Sequence, residues 1–172
     1  MSNFSHELAL QIPRLRRYAR ALTHNSAWAD DLVQDTMERA LSRRWLFRAN
    51  SNLCGWLFTM LYRVYLNDVS SHRIRHAVAE ENAPEQSTSG DMTLQLDMQQ
   101  ALMRLSAEHR AVILLVGLEQ MSYKEAAQAL GIPIGTVMSR LLRAREQLRL
   151  LLSGEPAVQT TAAIQPQLTR IK

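Results

Sequence analysis

An all-helical fold of two small domains joined by a flexible acidic linker is what the sequence predicts. Three observations predict it. Only 6 of the 172 residues are glycine, and apolar residues recur at spacings of three and four along most of the chain, the period of an amphipathic helix. From residue 77 to 91 that period stops: Val78 is the one large apolar residue left, and Glu80, Glu81, Glu85 and Asp91 make the stretch acidic, as in a solvated spacer. The expected organisation is a first helical domain over 1–76, a linker over 77–93, a second helical domain over 94–152 and a flexible tail over 153–172.

Residues 8–22 form the first expected helix, with Leu8, Ile12, Leu15, Ala19 and Leu22 on one stripe and Pro13 as its interruption. Thr23 to Ser26 break the pattern. It resumes over 27–41, where Leu32, Val33, Thr36, Met37, Ala40 and Leu41 face a core and Asp31, Gln34, Asp35 and Glu38 line the opposite side. Alone, such an acidic face is ordinarily a solvated one. A third helix covers 55–72. Beyond the linker, Leu94, Met98, Ala101, Leu102 and Leu105, then Val112, Ile113, Leu115 and Val116, mark helices that support the segment after residue 120.

Residues 121–145 carry the most specific signal, a helix-turn-helix. Ser122 with Glu125 spells a capping box, in which each residue's side chain satisfies the other's backbone N–H. Gly131 stands where the first helix must stop and the backbone needs positive φ, and Pro133 restarts a helix at no hydrogen-bonding cost. Over 134–152 the second helix sorts into two stripes at 100° per residue. Val137, Leu141, Ala144, Leu148 and Leu151 pack, while Thr136, Ser139, Arg140, Arg143 and Gln147 lie beside them, free to read DNA. Arginine donates in bidentate fashion to guanine in the major groove, and Ser or Thr bonds phosphate or base edge.

Between the acidic helix and residue 58, aromatics (Trp45, Phe47, Trp56, Phe58) interleave with Arg44 and Arg48 and with the amides Asn50 and Asn52. Such a mixture holds single-stranded DNA, because bases stack on rings, cations follow phosphates and a polar loop can receive an extruded base. The competing reading is plain core packing, favoured for Trp56 and Phe58.

The net charge is only +4, but the arginines cluster at 14–20, 39–48 and 140–149, which suggests a polyanionic partner. The single Cys54 excludes an internal disulfide and fits a small buried residue. The N-terminus has no secretory pattern, and no apolar run approaches the roughly twenty residues needed to cross a bilayer. A cytoplasmic protein without membrane insertion is therefore expected.

With both domains in view the chain resembles bacterial sigma factors of the extracytoplasmic-function group, across residues 8–152. Residues 30–36 look like the family's polymerase-docking helix, Trp56-Leu57 and Asn67-Asp68 like the helix facing the minus-10 element, and Gly135-Thr136-Val137 through Arg143-Ala144-Arg145-Glu146 like the minus-35 recognition helix. The resemblance implies a sigma2-like bundle and a sigma4-like domain. It implies core polymerase docking through Asp31, Gln34, Asp35 and Glu38, and minus-10 contacts through Arg48, Asn50, Ser51, Asn52, Trp56, Arg63 and Asn67. The loop at 49–53 would capture a flipped base. Minus-35 contacts fall to Thr136, Ser139, Arg140, Arg143 and Gln147. Core RNA polymerase, promoter DNA and an anti-sigma factor are the implied partners, with no cofactor, metal or small-molecule substrate. Asn52-Leu53 with residues 56–59 and 125–127 is similar to the general stress subgroup. Met138 departs from the family, which commonly places a basic residue there, and helical counting sets it away from the reading stripe.

Two other classes compete. A sigma-like decoy that binds an anti-sigma protein would have no need of Arg140, Arg143 and the aromatic loop. A metal hydrolase using Asp31, Asp35 and Glu38 with His72 or His76 lacks the further spaced ligands that a zinc site requires.

Overall fold

In a computed structural model the described residues are 3–48, 51–76 and 92–153, of which 72–76 and 92–96 are described by backbone alone. All of their regular elements are helical: α1 (Asn3–Thr23), α2 (Ser26–Ser42), a 3-10 turn (Arg44–Leu46), α3 (Leu53–His76), α4 (Met92–Arg104), α5 (Ala107–Ile113) running into a π-helical turn (Leu114–Leu118), α6 (Tyr123–Leu130) and α7 (Ile134–Ser153). Linker residues 77–91 and tail residues 154–172 lie outside the described residues. Met92 and Thr93, expected to close the linker, already belong to α4.

The chain passes Pro13 without leaving α1. Proline removes the bond to the carbonyl four residues back, but Pro13 and Ala9 are both exposed, so water can satisfy that carbonyl. Asn25 caps α2 by accepting from the Trp28 N–H at 2.9 Å, and Trp28 Nε1 donates to Asp68 on α3 at 3.1 Å. Two polar residues need a local partner to be buried in such a bundle, and find one. Thr23 and Thr36 return their hydroxyls to the carbonyls four residues earlier, Ala19 and Leu32, at 2.8 and 2.7 Å.

The two expected domains share one continuous core. Leu15, Tyr18, Leu22, Leu57, Phe58 and Leu61 from α1 and α3 belong to the same buried cluster as Ala111, Val112, Leu115, Ala126, Val137 and Leu141. Tyr18 is buried against Phe58, ring centroids 5.2 Å apart, and its hydroxyl donates to the Ala111 carbonyl at 3.4 Å. Burial pushes that phenol well above the usual tyrosine value, with Tyr62, Tyr65 and Glu119 adding to it.

Arg110 ties the junction from the other side. Its guanidinium reaches the carbonyls of Leu102, Met103 and Leu105 at 2.9–3.0 Å and of Leu22 at 3.0 Å. These are the orphan acceptors at the C-terminal ends of α4 and α1, where a cation also complements the helix dipoles. Desolvation lowers the pKa of Arg110, partly opposed by Tyr65.

Candidate functional site

The helix-turn-helix forms as its sequence dictates. Glu125 N donates to Ser122 Oγ at 3.2 Å and Ser122 N to Glu125 Oε2 at 2.9 Å, closing both halves of the capping box. These Ser122 contacts hold the Glu125 carboxyl below its ordinary pKa, the backbone bond first, with lesser help from Asn52 and Arg14 against a small opposing effect of burial. Gly131 ends α6 at φ 66°, a left-handed conformation where a side chain would be strained. Pro133 then offers its carbonyl to the N–H groups of Thr136 and Val137 at 3.0 and 3.1 Å.

On α7 the packing stripe is as expected at Val137, Leu141 and Ala144, all buried. The expected reading residues divide. Arg140 points its guanidinium to Glu108 at 3.0 Å with only 23% of its side chain exposed, and Gln147 bonds His109 at 2.9 Å. Thr136 is half-buried. Ser139, Arg143 and Gln147 are exposed, and beside Ser139 and Arg143 the face turned to solvent also holds Met138 and Leu142, 52% and 71% exposed. Counting from Val137 locates the buried stripe but not which flank a neighbouring helix covers. Here α5 lies along the Arg140 flank, so Met138, set aside by counting, sits in the outward face.

The segment expected to meet single-stranded DNA divides into supporting and outward residues. Phe58 is core. Trp56 is half-buried and packs with Phe47 and Phe4, ring centroids 5.3 and 6.5 Å away, while Phe47 lies 5.6 Å from Phe4. A tight turn comes next, with Ser51 Oγ and N both donating to the Arg48 carbonyl at 2.6 and 2.9 Å. Asn52 starts α3 by accepting from Gly55 N at 3.0 Å. Arg48, Ser51, Asn52, Arg63 and Asn67 are exposed. Asn50 and Ala49 lie outside the described residues.

On α2, Asp31, Gln34, Asp35 and Glu38 are all exposed. Gln34 donates to Glu38 at 3.1 Å, and among the described residues nothing engages Asp31 or Asp35. No described group of three His, Cys, Asp or Glu side chains is arranged to hold a metal, and no described helix is long and apolar enough to cross a membrane. The side chains of His72 and His76 lie outside the described residues.

A seam that sequence reasoning missed joins the half built from α1–α3 to the half built from α4–α7. After α5, the π-helical turn closes with Glu119 N on the Leu114 carbonyl at 3.0 Å, and Gln120 comes next at φ 55°. The widened turn aims Glu119 at α1. Its side chain is 0% exposed and accepts from Arg14 Nε at 3.1 Å and Arg17 Nη2 at 2.9 Å, while Arg14 Nη2 donates to the Glu119 carbonyl at 3.1 Å. Arg14 also stands over the Phe58 ring, 5.9 Å from its centroid. Nearby, Asn52 Nδ2 donates to Glu125 Oε1 at 2.9 Å, linking the expected minus-10 loop to the cap of α6. Cys54 is half-buried at this seam; burial raises its thiol pKa, Arg14 opposes, and Glu119 and Glu125 add. The one available signal was an acid, Glu119, immediately after the apolar run 111–118.

Residues 8–62 match the family described as the sigma2 domain of PhyR, and residues 95–148 match sigma-70 region 4. The chain is 35% identical over 150 residues to the ECF RNA polymerase sigma factor EcfG of Rhodopseudomonas palustris, covering 85% of this chain and 83% of that protein. It is 39% identical over 145 residues to the ECF RNA polymerase sigma factor SigL of Mycobacterium tuberculosis, covering 80% and 82%. Its fold is similar to that of the sigma factor RpoE from Bartonella quintana, solved with the anti-sigma factor NepR. That match has a TM-score of 0.77 and 36% identity, over 91% of this chain and 100% of the other.

Proposed function

The chain belongs to the extracytoplasmic-function (ECF) RNA polymerase sigma factors, and from that membership we propose how its parts share the work. It is an alternative sigma factor that binds core polymerase and directs promoter-specific initiation. Sigma factors are not enzymes in the ordinary sense. Its place of work is the cytoplasm, with polymerase and promoter.

Residues 1–76 are the docking and minus-10 unit, 94–152 the minus-35 unit. Asp31, Gln34, Asp35 and Glu38 meet the core polymerase. Arg48, Asn50, Ser51, Asn52, Arg63 and Asn67 meet the melted minus-10 strand, with Trp56 as a partly buried support. On the recognition helix Ser139 and Arg143 read the minus-35 duplex. Thr136 supports them from a half-buried position, and Arg140 and Gln147 join them only after giving up Glu108 and His109 on α5. One observation supports this division: a single chain bears an exposed acidic helix face and a capped helix-turn-helix whose outward face holds Ser139 and Arg143.

The same geometry makes the present arrangement a closed form. Elements named for positions 10 and 35 are about 25 base pairs apart, roughly 85 Å at about 3.4 Å per step, whereas Asn52 and Glu125 are hydrogen-bonded across the seam. The two units must part to occupy both elements. An anti-sigma factor that binds the closed form would hold the protein inactive. The Bartonella quintana sigma factor, similar over most of its length, is seen with such a partner.

Transcription with core polymerase on genomic DNA tests the reading. Start sites preceded by one shared two-part element at fixed spacing are expected. Tight anti-sigma binding with no promoter-dependent transcript would establish the decoy instead.

A further inference from the structure

Glu119 is the one buried carboxylate among the described residues, and both of its cations come from the other half of the molecule. Arg14 and Arg17 on α1 reach it across 105 and 102 residues of sequence. Arg14 makes three contacts at once: it holds the carboxylate, donates to the Glu119 carbonyl and stands over the Phe58 ring of α3. The turn that presents Glu119 is unusual on two counts. It is π-helical, and Gln120 follows at φ 55°, a left-handed conformation that glycine ordinarily fills. Met121 N then donates to the Leu115 carbonyl at 3.0 Å, which fixes the turn. Widened turns and left-handed non-glycine residues gather at functional sites, where the surrounding contacts hold them in place. No residue assigned to docking or to DNA lies on this turn, so its shape calls for another purpose.

We propose that Glu119 is a latch. Through Arg14 and Arg17 it holds the free protein in the closed form, so the chain limits its own access to polymerase and promoter before any partner binds. The apolar core shared by the halves favours closure in general, whereas the Glu119 contacts exist in one arrangement and are lost together with it. An ionic latch also suits a seam that must open. The attraction of a buried carboxylate for its cations little more than offsets its lost hydration, while apolar side chains in the same place would keep their gain from burial. Arg14 and Arg17 already stand 40% and 54% exposed, so water reaches them as soon as the halves separate. Asn52, bonded to Glu125 nearby, is released by the same motion. The meaning of the closed form rests on the sigma-factor reading, but the latch is a property of the free chain and is measured there.

The test uses full-length protein in a Cys54→Ser background, with spin labels on Ser42→Cys in α2 and Gln128→Cys in α6, both exposed positions. The distance between the labels reads the separation of the halves. With Glu119 in place, short separations should dominate. Glu119→Gln keeps the side chain's length and removes its charge, and should raise the ratio of long to short separations roughly 10- to 150-fold, the effect of losing a charge-assisted hydrogen bond. Replacing Glu119, Arg14 and Arg17 all by Met makes the seam apolar and strands no charge, so this triple variant should stay closed. It also keeps the test decisive if Glu119→Gln fails to fold. Affinity for core polymerase should move in opposite directions, up for Glu119→Gln as the closed fraction shrinks and down for the triple variant. Unchanged separations in Glu119→Gln would overturn the latch, and so would a triple variant that opens. A holoenzyme with no promoter-dependent transcript would instead defeat the sigma-factor reading and leave the separations to decide the latch.

Discussion

The carboxylates of α2 and the carboxylate of Glu119 are the same chemical group in opposite circumstances. Asp31 and Asp35 stand exposed on α2, and among the described residues nothing engages them. Glu119 has no exposed surface and is held by two arginines from α1. A buried ion is tolerable only when its partners replace water, whereas a solvated one is free to be desolvated by something else. The contrast separates the charges this molecule commits to itself from those that the proposed reading gives to a partner. Arginines divide the same way: Arg110 and Arg140 are engaged internally, while among the described residues nothing engages Arg143.

Committed charge is tested most severely at the seam. Replacing Arg14 and Arg17 together with Met strands a buried carboxylate, and should destabilise the folded protein by about 3–5 kcal/mol in urea titration. A loss under about 1 kcal/mol would mean that Glu119 finds water and that the seam is looser than its geometry. Next comes Asp35→Lys, which should leave stability within about 0.5 kcal/mol while weakening core polymerase binding by about 2 kcal/mol, near thirtyfold. If helical signal collapses, the α2 face is structural after all.

On the recognition helix, Arg143→Ala should cost about 1–3 kcal/mol at the minus-35 duplex if the guanidinium is bidentate to a base. Arg140→Ala should cost less, because Arg140 must first release Glu108. Equal losses measured by titration on matched promoters would erase the distinction between committed and reserved arginines. The smallest effect concerns pH. Because the folded pKa of Glu125 is depressed, the unfolded chain binds its proton first as pH falls. The stabilisation is therefore whole above the ordinary carboxylate pKa and fades as pH drops through the folded value. Glu125→Gln, which keeps a capping-box side chain, should flatten this acid limb when stability is measured from neutral pH downward.

The helix-turn-helix was legible because its determinants are local: Ser122 with Glu125, then Gly131, then Pro133, each acting within four residues. The helices around it were legible from periodicity, and α1 outran its expected start because amphipathic periodicity says little about polar first turns. The seam was not legible. Glu119 meets Arg14 across 105 residues, and Arg110 meets Leu22 across 88; such contacts leave no period in the sequence. For the same reason periodicity could not tell that Arg140 and Gln147 are bonded from α5 while Ser139 and Arg143 face outward. Glu108 and His109 decide which side of α7 is covered, and they do so from another helix.

The position of Cys54 gives the protein a clock. Its thiol lies half-buried at the seam, its acidity suppressed by burial and modulated by Arg14, Glu119 and Glu125, which are charges contributed from both sides. Parting of the two units would wet the sulfur and return its pKa toward the ordinary value, raising the thiolate fraction that reacts with an alkylating reagent. As this is the chain's single cysteine, its labelling rate would count the fraction of time spent open. That rate should rise on core polymerase and fall when an anti-sigma partner holds the halves together.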